Sequence, residues 1–360
     1  MNRSIHQLLP SARMGDAITQ YALELQKIIR LKGWDSRLFA PDGEIGKELL
    51  KTVQSQKTLP ESLASTDLLI YHYSIASPAT DVYRHALCRK MICYHNITPA
   101  VFFLPFSDSH AFLARQGREE LKQLIPITDL ATAVSHFNAN ELMDMGFKSV
   151  EVIPLIIPSD YRNTKPDSAI LNEMNDGKKN ILFVGRMAPN KRFEDLLQVF
   201  YYFHAGNSSS RLILAGPVEI EKYHVQVKDW IQKLELTEHV LITGRIILPK
   251  LIAHYQTAHA FLCLSEHEGF CLPLLEAMAY SIPVFALERA GVPETLEKTG
   301  VLIKKLDHAL IAELLRTVLD QPELIREIVE NQKKRLEKFN QTVLSARLSH
   351  CLNIVFGQPD

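Results

Sequence analysis

Residues 260–279 read AFLCLSEHEGFCLPLLEAMA. The first part, Ala260–Ser265, is a short apolar run typical of a buried strand, and the last part has the composition of a helix. Glu268 follows the strand in a loop, and Glu276 is expected in the first turn of the helix. Gly269 lets a ligand approach the backbone closely. The stretch therefore predicts a strand–loop–helix unit whose loop binds a polyhydroxylated ligand beside a phosphate.

The same alternation of apolar runs and amphipathic stretches continues along the whole chain, which favours parallel sheets covered by helices. In the first half the predicted strands are Ile5–Leu9, Arg37–Ala40, Leu68–His72, Lys90–His95, Leu130–Ser135 and Ser149–Pro154. The series restarts in the second half with 181–185, 211–216, 240–244, 260–265, 282–287 and 300–303. We therefore predict an α/β protein with two Rossmann-like, doubly wound domains facing across a cleft.

The local amino-acid composition sets the predicted domain limits. A polar stretch, Pro158–Lys179, has the Pro, Asn and Asp content of a linker. The first domain is expected at 1–165 and the second at 166–339. The tail, 340–360, has apolar residues near helical spacing behind Asn340, a plausible helix cap, and is expected to pack back on the first domain.

The overall composition excludes several classes of protein. The chain has 360 residues, 46% hydrophobic content and a net charge of −1, so it has no basic field for nucleic acid. The five cysteines include no C-x-x-C pair, which favours free thiols in a reducing compartment over a zinc site. The start lacks a signal-peptide pattern, and a cytoplasmic protein is expected.

Two motifs are missing from the sequence. None of the 15 glycines is separated from another by a single residue, so G-x-G-x-x-G is absent and a dinucleotide-dependent dehydrogenase is disfavoured. No D-x-D pair is present to hold a divalent ion against a diphosphate. The negative charge of a leaving group would instead be met by Arg186, Lys191 and helix N-termini, which predicts a design without metal or cofactor.

A basic loop follows the first strand of the second half. Residues 185–192 read GRMAPNKR, where arginine offers a bidentate fork and lysine a mobile point charge for phosphate. In a doubly wound sheet, ligands bind beyond the carboxyl ends of the strands, so this loop is expected near the loop that contains Glu268 and Glu276.

These residues carry a resemblance to a known family. The two glutamates with seven residues between them, the Val-Gly-Arg…Asn-Lys segment at 184–191 and Gly291-Val-Pro-Glu294 are similar to the donor site of retaining glycosyltransferases of family four, which have the GT-B architecture. In the first half, residues 14–18 resemble the early glycine loop of that family and residues 94–99 its active-site histidine segment.

The resemblance implies roles for individual residues. Arg186 and Lys191 would bind the donor diphosphate, Glu276 the ribose hydroxyls and Glu268 the sugar, while His95 would lie beside the sugar. The remaining residues expected around the donor are Gly15, Asp16, Gly216, Gly269, Phe270, Cys271, Leu272, Pro273 and Glu294.

The family resemblance also implies a mechanism. Departure of the leaving group and attack occur on one face, which retains the anomeric configuration, and the leaving phosphate oxygen takes the acceptor's proton. A covalent intermediate on Glu268 is the alternative. His95 is interpreted as a hydrogen-bond partner of the sugar. His72, at the end of another strand, is interpreted as a buried histidine, with a place in the same cleft as the alternative.

The predicted function is hexosyl transfer from a nucleotide-diphosphate sugar, UDP-hexose before GDP-mannose, to a glycan or lipid-linked acceptor in surface polysaccharide biosynthesis. An epimerase or phosphorylase of the same fold and an inactive nucleotide-sugar-binding scaffold remain as alternatives. Residues 102–106, FFLPF, are interpreted as a buried corner, with peripheral membrane contact of the first domain as the alternative. The base, the acceptor, the linkage and the oligomeric state stay open.

Overall fold

The computed structural model describes residues 3–59 and 63–357, which divide into two compact units. The first unit comprises the chain up to Val101, Ser109–Ser159 and the chain from Phe339 on. The second unit comprises Phe102–Asp108 and Asp160–Lys338. The predicted ranges 1–165 and 340–360 include residues 1–2, 60–62 and 358–360, which lie outside the described residues.

The first unit is built on a seven-stranded parallel sheet with the order β3-β2-β1-β4-β5-β6-β7. Its strands are β1 (Ile5–Leu8), β2 (Leu38–Ala40), β3 (Val53–Ser55), β4 (Leu68–Tyr73), β5 (Arg89–Tyr94), β6 (Leu130–Ala133) and β7 (Val150–Val152). The connecting helices are α1 (Ala17–Leu31), α2 (Ala79–His85), α3 (Asp108–Leu124) and α4 (His136–Met145). The central strands β1 and β4 are fully buried, as expected of a sheet with helices on both faces.

The second unit repeats the plan with six parallel strands in the order β10-β9-β8-β11-β12-β13. The strands are β8 (Lys179–Val184), β9 (Ser210–Ala215), β10 (Val240–Gly244), β11 (Ala260–Cys263), β12 (Val284–Leu287) and β13 (Val301–Ile303). The helices are α5 (Asp160–Asn163), α6 (Ser168–Met174), α7 (Phe193–Gly206), α8 (Glu221–Lys233), α9 (Leu248–Thr257), α10 (Leu272–Ala279), α11 (Val292–Leu296), α12 (His308–Leu319) and α13 (Pro322–Leu336).

The predicted fold class is confirmed in both units. In each sheet the strand order reverses beside the first strand of the unit, between β1 and β4 in one case and between β8 and β11 in the other. Loops that leave neighbouring strands on the two sides of such a point diverge and open a crevice at the carboxyl edge of the sheet. The topology therefore gives each unit one ligand-binding edge.

The interpretation of Pro158–Lys179 as a linker is wrong, because it contains two helices that belong to the second unit. Asp167 caps α6 by accepting hydrogen bonds from the amides of Ala169 and Ile170, at 3.0 and 3.1 Å. Met174 at the end of α6 is buried, and its carbonyl accepts from the Asn180 side chain. The polar composition of this segment correctly indicated an exposed surface, but helices of four and seven residues are too short to show an apolar period against it.

The C-terminal tail forms α14 (Gln341–Phe356), which belongs to the first unit. Asn340 caps it as predicted, with Oδ1 accepting from the Val343 amide at 3.0 Å. The apolar stripe of the helix, Leu344, Leu348, Leu352 and Val355, is buried.

The FFLPF segment belongs to the second unit, although the predicted first domain, 1–165, includes it. Phe102 lies 6.1 Å from His267 and Phe106 lies 5.0 Å from Tyr223, both measured between ring centroids. Phe103 is buried, and Leu104 is 49% exposed. Among the helices that the structure describes, none combines the length and apolar character needed to cross a bilayer.

Candidate active site

The loops after β8 and β11 meet because these strands are neighbours in the sheet. Asn190, which is buried, joins the two loops. Its side-chain amide donates to the His267 carbonyl at 2.9 Å, and its own carbonyl accepts from the Glu266 amide at 2.9 Å. The predicted proximity of the basic loop and the glutamate loop is therefore present in the structure.

Lys191 and Glu268 form a nearly buried ion pair at the meeting point. The Lys191 Nζ donates to Glu268 Oε1 at 2.6 Å, and the two side chains are only 13% and 9% exposed. Burial acts to lower the pKa of Lys191, but the charge of Glu268 outweighs it and the pKa is raised. The lysine is thus a fixed positive charge in a poorly hydrated position, where it acts strongly on a bound anion.

Arg186 occupies the more open side of the same loop. Its guanidinium pairs with Glu219, and its side chain is 55% exposed. The adjoining turn requires close backbone approach, since a Cβ on Gly216 would lie 2.0 Å from the carbonyl oxygen of Gly185. Gly216 has a φ of +146°, so two reasons fix glycine at this position.

Glu276 lies deeper than the sequence predicts, as the fifth residue of α10 and therefore in its second turn. The turn was misplaced because the helix begins one residue before Pro273. Glu276 is buried, and Oε2 accepts from the Tyr255 hydroxyl at 2.6 Å, while Tyr161 provides a second hydrogen bond. Burial raises the pKa of Glu276, and the two tyrosine hydrogen bonds act against that rise.

The loop between the two glutamates has a rigid backbone. Cys271 has a φ of +68°, an uncommon left-handed conformation for a residue with a side chain. The Thr295 hydroxyl donates to the Phe270 carbonyl at 2.5 Å, and the Gly291 amide donates to the Glu268 carbonyl at 2.9 Å. A Cβ on Gly291 would lie 2.4 Å from the Gly269 carbonyl oxygen, so only glycine fits there. Leu272 and Pro273 then open α10.

Glu294 lies in α11, half-buried, and its carbonyl accepts from Arg335 at 2.6 Å. It belongs to the second unit, as do the other predicted donor residues except Gly15 and Asp16.

In the first unit, His95 follows β5 and is half-buried. Its Nε2 lies 2.9 Å from Nδ1 of the buried His72. Gly15 occupies a turn with a φ of +78°, and no atom lies within 4 Å of a Cβ built on it, so the turn is open. Asp16 is the N-cap of α1, accepting from the Thr19 amide and hydroxyl at 2.9 and 3.0 Å.

Two groups of potential metal ligands occur among residues 3–59 and 63–357. One is His72, Cys93 and His95, and the other is Cys263, Glu268 and Cys271. In the first group the two imidazoles already hydrogen bond to each other, and in the second Glu268 already pairs with Lys191. The absence of a metal requirement stays a prediction.

Three partners of the site residues were missed by sequence reasoning. They are Tyr255 and Tyr161 around Glu276, and Glu219 against Arg186. Each lies at least fifteen positions away in the chain on another element, and no local pattern distinguishes it.

Residues 167–335 match the sequence model of the family described as glycosyl transferases group 1. The matched region corresponds to most of the second unit, Asp160–Lys338. Over 174 residues the chain is 26% identical to the capsular polysaccharide biosynthesis glycosyltransferase CapM of Staphylococcus aureus. The matched region covers 48% of this chain and 45% of that protein. Over 130 residues it is 29% identical to a GDP-mannose-dependent alpha-mannosyltransferase of Mycolicibacterium smegmatis, covering 36% of this chain and 31% of that one. The matches span less than half the length of these relatives.

The fold is similar to that of Anabaena Alr3699/HepE, whose structure was solved in complex with UDP-glucose. The TM-score is 0.78 at 16% sequence identity, covering 97% of this chain and 99% of that chain. At this identity the similarity establishes the fold, which is GT-B.

Proposed function

We propose that this protein is a retaining, metal-independent hexosyltransferase of family four that uses a nucleotide-diphosphate sugar. The observation that carries the proposal is the Lys191–Glu268 pair, joined by Asn190 at the ligand-binding edge of the second sheet. A buried ammonium beside a carboxylate suits a ligand that is anionic at one end and polyhydroxylated at the other.

In the proposed complex, Lys191 and Arg186 bind the diphosphate. Arg186, whose own side chain is 55% exposed, turns from Glu219 to a phosphate oxygen. Lys191 keeps its place, and its positive charge stabilises the departing nucleotide. Two cations at the leaving group replace the charge that a divalent ion supplies in other transferases.

Glu276 binds the ribose hydroxyls in this proposal. Its carboxylate has more acceptor positions than the two tyrosine hydrogen bonds occupy, since an ionised carboxylate accepts about four. Tyr255 holds the group in one orientation, and the ring of Tyr280 stacks on Tyr255 at 5.3 Å and 9°. Glu268 and the backbone of the Gly269–Leu272 loop contact the sugar.

The reaction is proposed to proceed by departure and attack on one face of the sugar, with the acceptor's proton passing to the leaving phosphate oxygen. No side chain then has to act as a nucleophile. Glu268 is a poor nucleophile for the covalent alternative, because Oε1 is held by the Lys191 ammonium. Gly15 gives the backbone of the first unit an open turn for the phosphate, and Asp16 orients that turn as a helix cap.

UDP-hexose is the proposed donor and GDP-mannose the alternative. The chain is similar in fold to a protein solved in complex with UDP-glucose, and in sequence to a GDP-mannose-dependent alpha-mannosyltransferase. The acceptor is proposed to be a glycan or a lipid-linked sugar of a surface polysaccharide. A cytoplasmic location with peripheral contact at the inner face of the membrane is consistent with the exposed side chains of Val101 and Phe112, 65% and 59% accessible, in the first unit.

The decisive experiment is a thermal-shift screen against UDP, GDP, ADP and their sugars, followed by product analysis with a lipid-linked acceptor. We expect stabilisation by one nucleotide family, a product with the donor's anomeric configuration by NMR, and equal rates with magnesium or with EDTA. Donor consumption without acceptor and release of an altered nucleotide sugar would identify an epimerase. Tight donor binding with no turnover of any acceptor or water would identify a scaffold.

A further inference from the structure

Three polar side chains lie on one face of the first sheet because of its register. Gln7 on β1 is paired with Ile70 on β4, and His72 two residues later points to the same face. His72 in turn is paired with Cys93 on β5, and His95 lies two residues beyond Cys93. Gln7, His72 and His95 therefore form a row that ends in the half-buried imidazole of His95.

The row is anchored at its buried end by the backbone. Gln7 Nε2 donates to the Ala22 carbonyl of α1 at 3.0 Å. This bond fixes the orientation of the amide, since the flipped amide would place two carbonyl oxygens against each other. The oxygen Oε1 consequently faces His72 Nε2, at 2.8 Å.

The hydrogen atoms along the row then follow by elimination. Gln7 Oε1 only accepts, so His72 Nε2 carries a hydrogen and donates it. His72 is completely buried, and its two ring nitrogens face the Gln7 amide and the His95 imidazole, so the ring is neutral and its Nδ1 has a lone pair. His95 Nε2 lies 2.9 Å from that Nδ1 and must therefore be the donor. His95 is thus the Nε2–H tautomer, and its Nδ1 is an acceptor.

We propose that Gln7 and His72 are positioning residues that hold His95 as a neutral hydrogen-bond acceptor at Nδ1, selecting a hydroxyl group as its ligand and excluding an anionic oxygen. A bare Nδ1 accepts a hydrogen bond from a sugar hydroxyl and repels a phosphate oxygen. Tyr21 keeps both rings in place, since it packs edge-on against His72 and His95 at 6.0 and 5.5 Å.

The row also makes His95 a weak base. A proton on Nδ1 would give an imidazolium whose only partner in the row is another neutral imidazole, and burial together with His72 already holds the pKa of His95 well below its ordinary value. His95 therefore orients a hydroxyl without removing its proton. The identity of that hydroxyl as one of the donor sugar rests on the proposed function, whereas the tautomer does not.

The test is NMR on the ligand-free protein labelled with nitrogen-15 at histidine, with the His95 signals assigned by their loss in His95→Gln. Long-range proton–nitrogen correlations should show His95 with a protonated Nε2 and a bare Nδ1. A protonated Nδ1, or an equal mixture of tautomers in the wild-type protein, overturns the proposal.

Variants at Gln7 test the origin of the tautomer. Gln7→Leu removes the acceptor of His72, so His95 should change from one tautomer to a mixture. Gln7→Glu should favour the protonated His72, which then donates from Nδ1 and inverts the His95 tautomer. The matched control is Gln26→Leu, because Gln26 is also a buried glutamine that donates to a backbone carbonyl, that of Ser36, at 3.0 Å.

Gln26→Leu should leave the His95 spectrum unchanged, and an unchanged spectrum in Gln7→Leu would overturn the relay. If the Gln7 variants do not fold, the His95 tautomer measured in the wild-type protein still supports or overturns the proposal. In transfer assays Gln7→Leu should lower kcat/KM about tenfold, the value of one hydrogen bond, and Gln26→Leu should not. A correct tautomer without any transferase activity contradicts the proposed function alone, and an active enzyme with the wrong tautomer contradicts this inference alone.

Discussion

Replacing Lys191 by methionine tests the centre of the candidate site. The Lys191 Nζ lies 2.6 Å from Glu268 Oε1, and the side chains are 13% and 9% exposed, so the substitution leaves an unpaired carboxylate with little water around it. Breaking a fully buried pair in this way costs about 3–5 kcal/mol. Because about a tenth of each side chain still reaches solvent, we expect a loss of about 2–4 kcal/mol in the free energy of unfolding.

The matched variants are Glu268→Gln and the double variant Lys191→Met/Glu268→Gln. Replacing both partners by uncharged groups of similar size is often nearly neutral, so the double variant should recover most of the lost stability. Urea unfolding of all four proteins with a common m value gives the coupling energy of the pair. We expect about 2 kcal/mol or more.

In the same series of variants, the loss of activity should not follow the loss of stability. A preorganised donor of charge at a leaving group contributes about 10²–10³ in rate. Lys191→Met should lower the transfer rate by that factor, and the double variant should stay slow although it is stable. A coupling energy below about 0.5 kcal/mol contradicts the buried pair. Near-wild-type turnover in the stable double variant refutes the role of the lysine at the diphosphate.

Three further predictions concern carboxylates with different environments. Because burial raises the pKa of Glu276 in the folded protein, its contribution to stability is present at acid pH and is lost as the pH rises through the folded pKa. Glu276→Gln should therefore keep or increase the thermal stability at pH 7 while it abolishes donor binding, measured by thermal shift with and without nucleotide. The buried Glu24 has the opposite sign: burial acts to raise its pKa, but Lys27, Ser159 and Gln341 outweigh it and the net pKa is lowered below 4.5. Its stabilising contribution is present above pH 4.5 and is lost as the pH falls through the lower folded pKa, so Glu24→Gln should flatten the acid limb of a stability–pH profile below that pH. Asp16→Ala should cost about 1 kcal/mol through loss of the cap on α1, and Asp16→Asn should restore stability in urea unfolding; a donor KM that rises in Ala but stays normal in Asn assigns Asp16 to the turn alone.

Much of the fold was predictable because parallel sheets have apolar strands that differ sharply from their surroundings. All twelve predicted strands correspond to observed ones. β3 (Val53–Ser55) was missed because an edge strand of three residues, with only Val53 buried, has neither the length nor the apolar run of a central strand.

The candidate site was predictable where its residues lie in one strand–loop–helix unit. The loops with Lys191 and Glu268 leave β8 and β11, and the rule that ligands bind at the carboxyl ends of neighbouring strands brings them together. Tyr255 and Glu219 could not be found in this way. Tyr255 reaches Glu276 from α9, and only the packing of that helix against the sheet decides which of its side chains points at the carboxylate.

The row of Gln7, His72 and His95 shows the same limit more sharply. The sequence indicates that all three end up in or after strands, but the pairing β1–β4–β5 must be known before they share a face. A slip of one residue in either pairing would turn one member to the opposite face of the sheet. The tautomer of His95 therefore depends on the register of the strands, which the amino-acid composition does not reveal.

Glu268 and Glu276 show how the local environment gives two carboxylates different properties. Glu268 has a lysine ammonium at 2.6 Å, so the charge of its carboxylate is compensated. Glu276 has two tyrosine hydroxyls and no cation, so its charge is uncompensated and its pKa is raised. A ligand hydroxyl that donates to Glu276 relieves that deficit, since a further hydrogen bond stabilises the ionised carboxylate. Binding at Glu276 should consequently release the proton more easily, and nucleotide affinity should increase as the pH rises through its free-state pKa. Isothermal titration in two buffers of different ionisation enthalpy, at a pH near that value, should detect proton release on binding; an equal heat in both buffers contradicts this division.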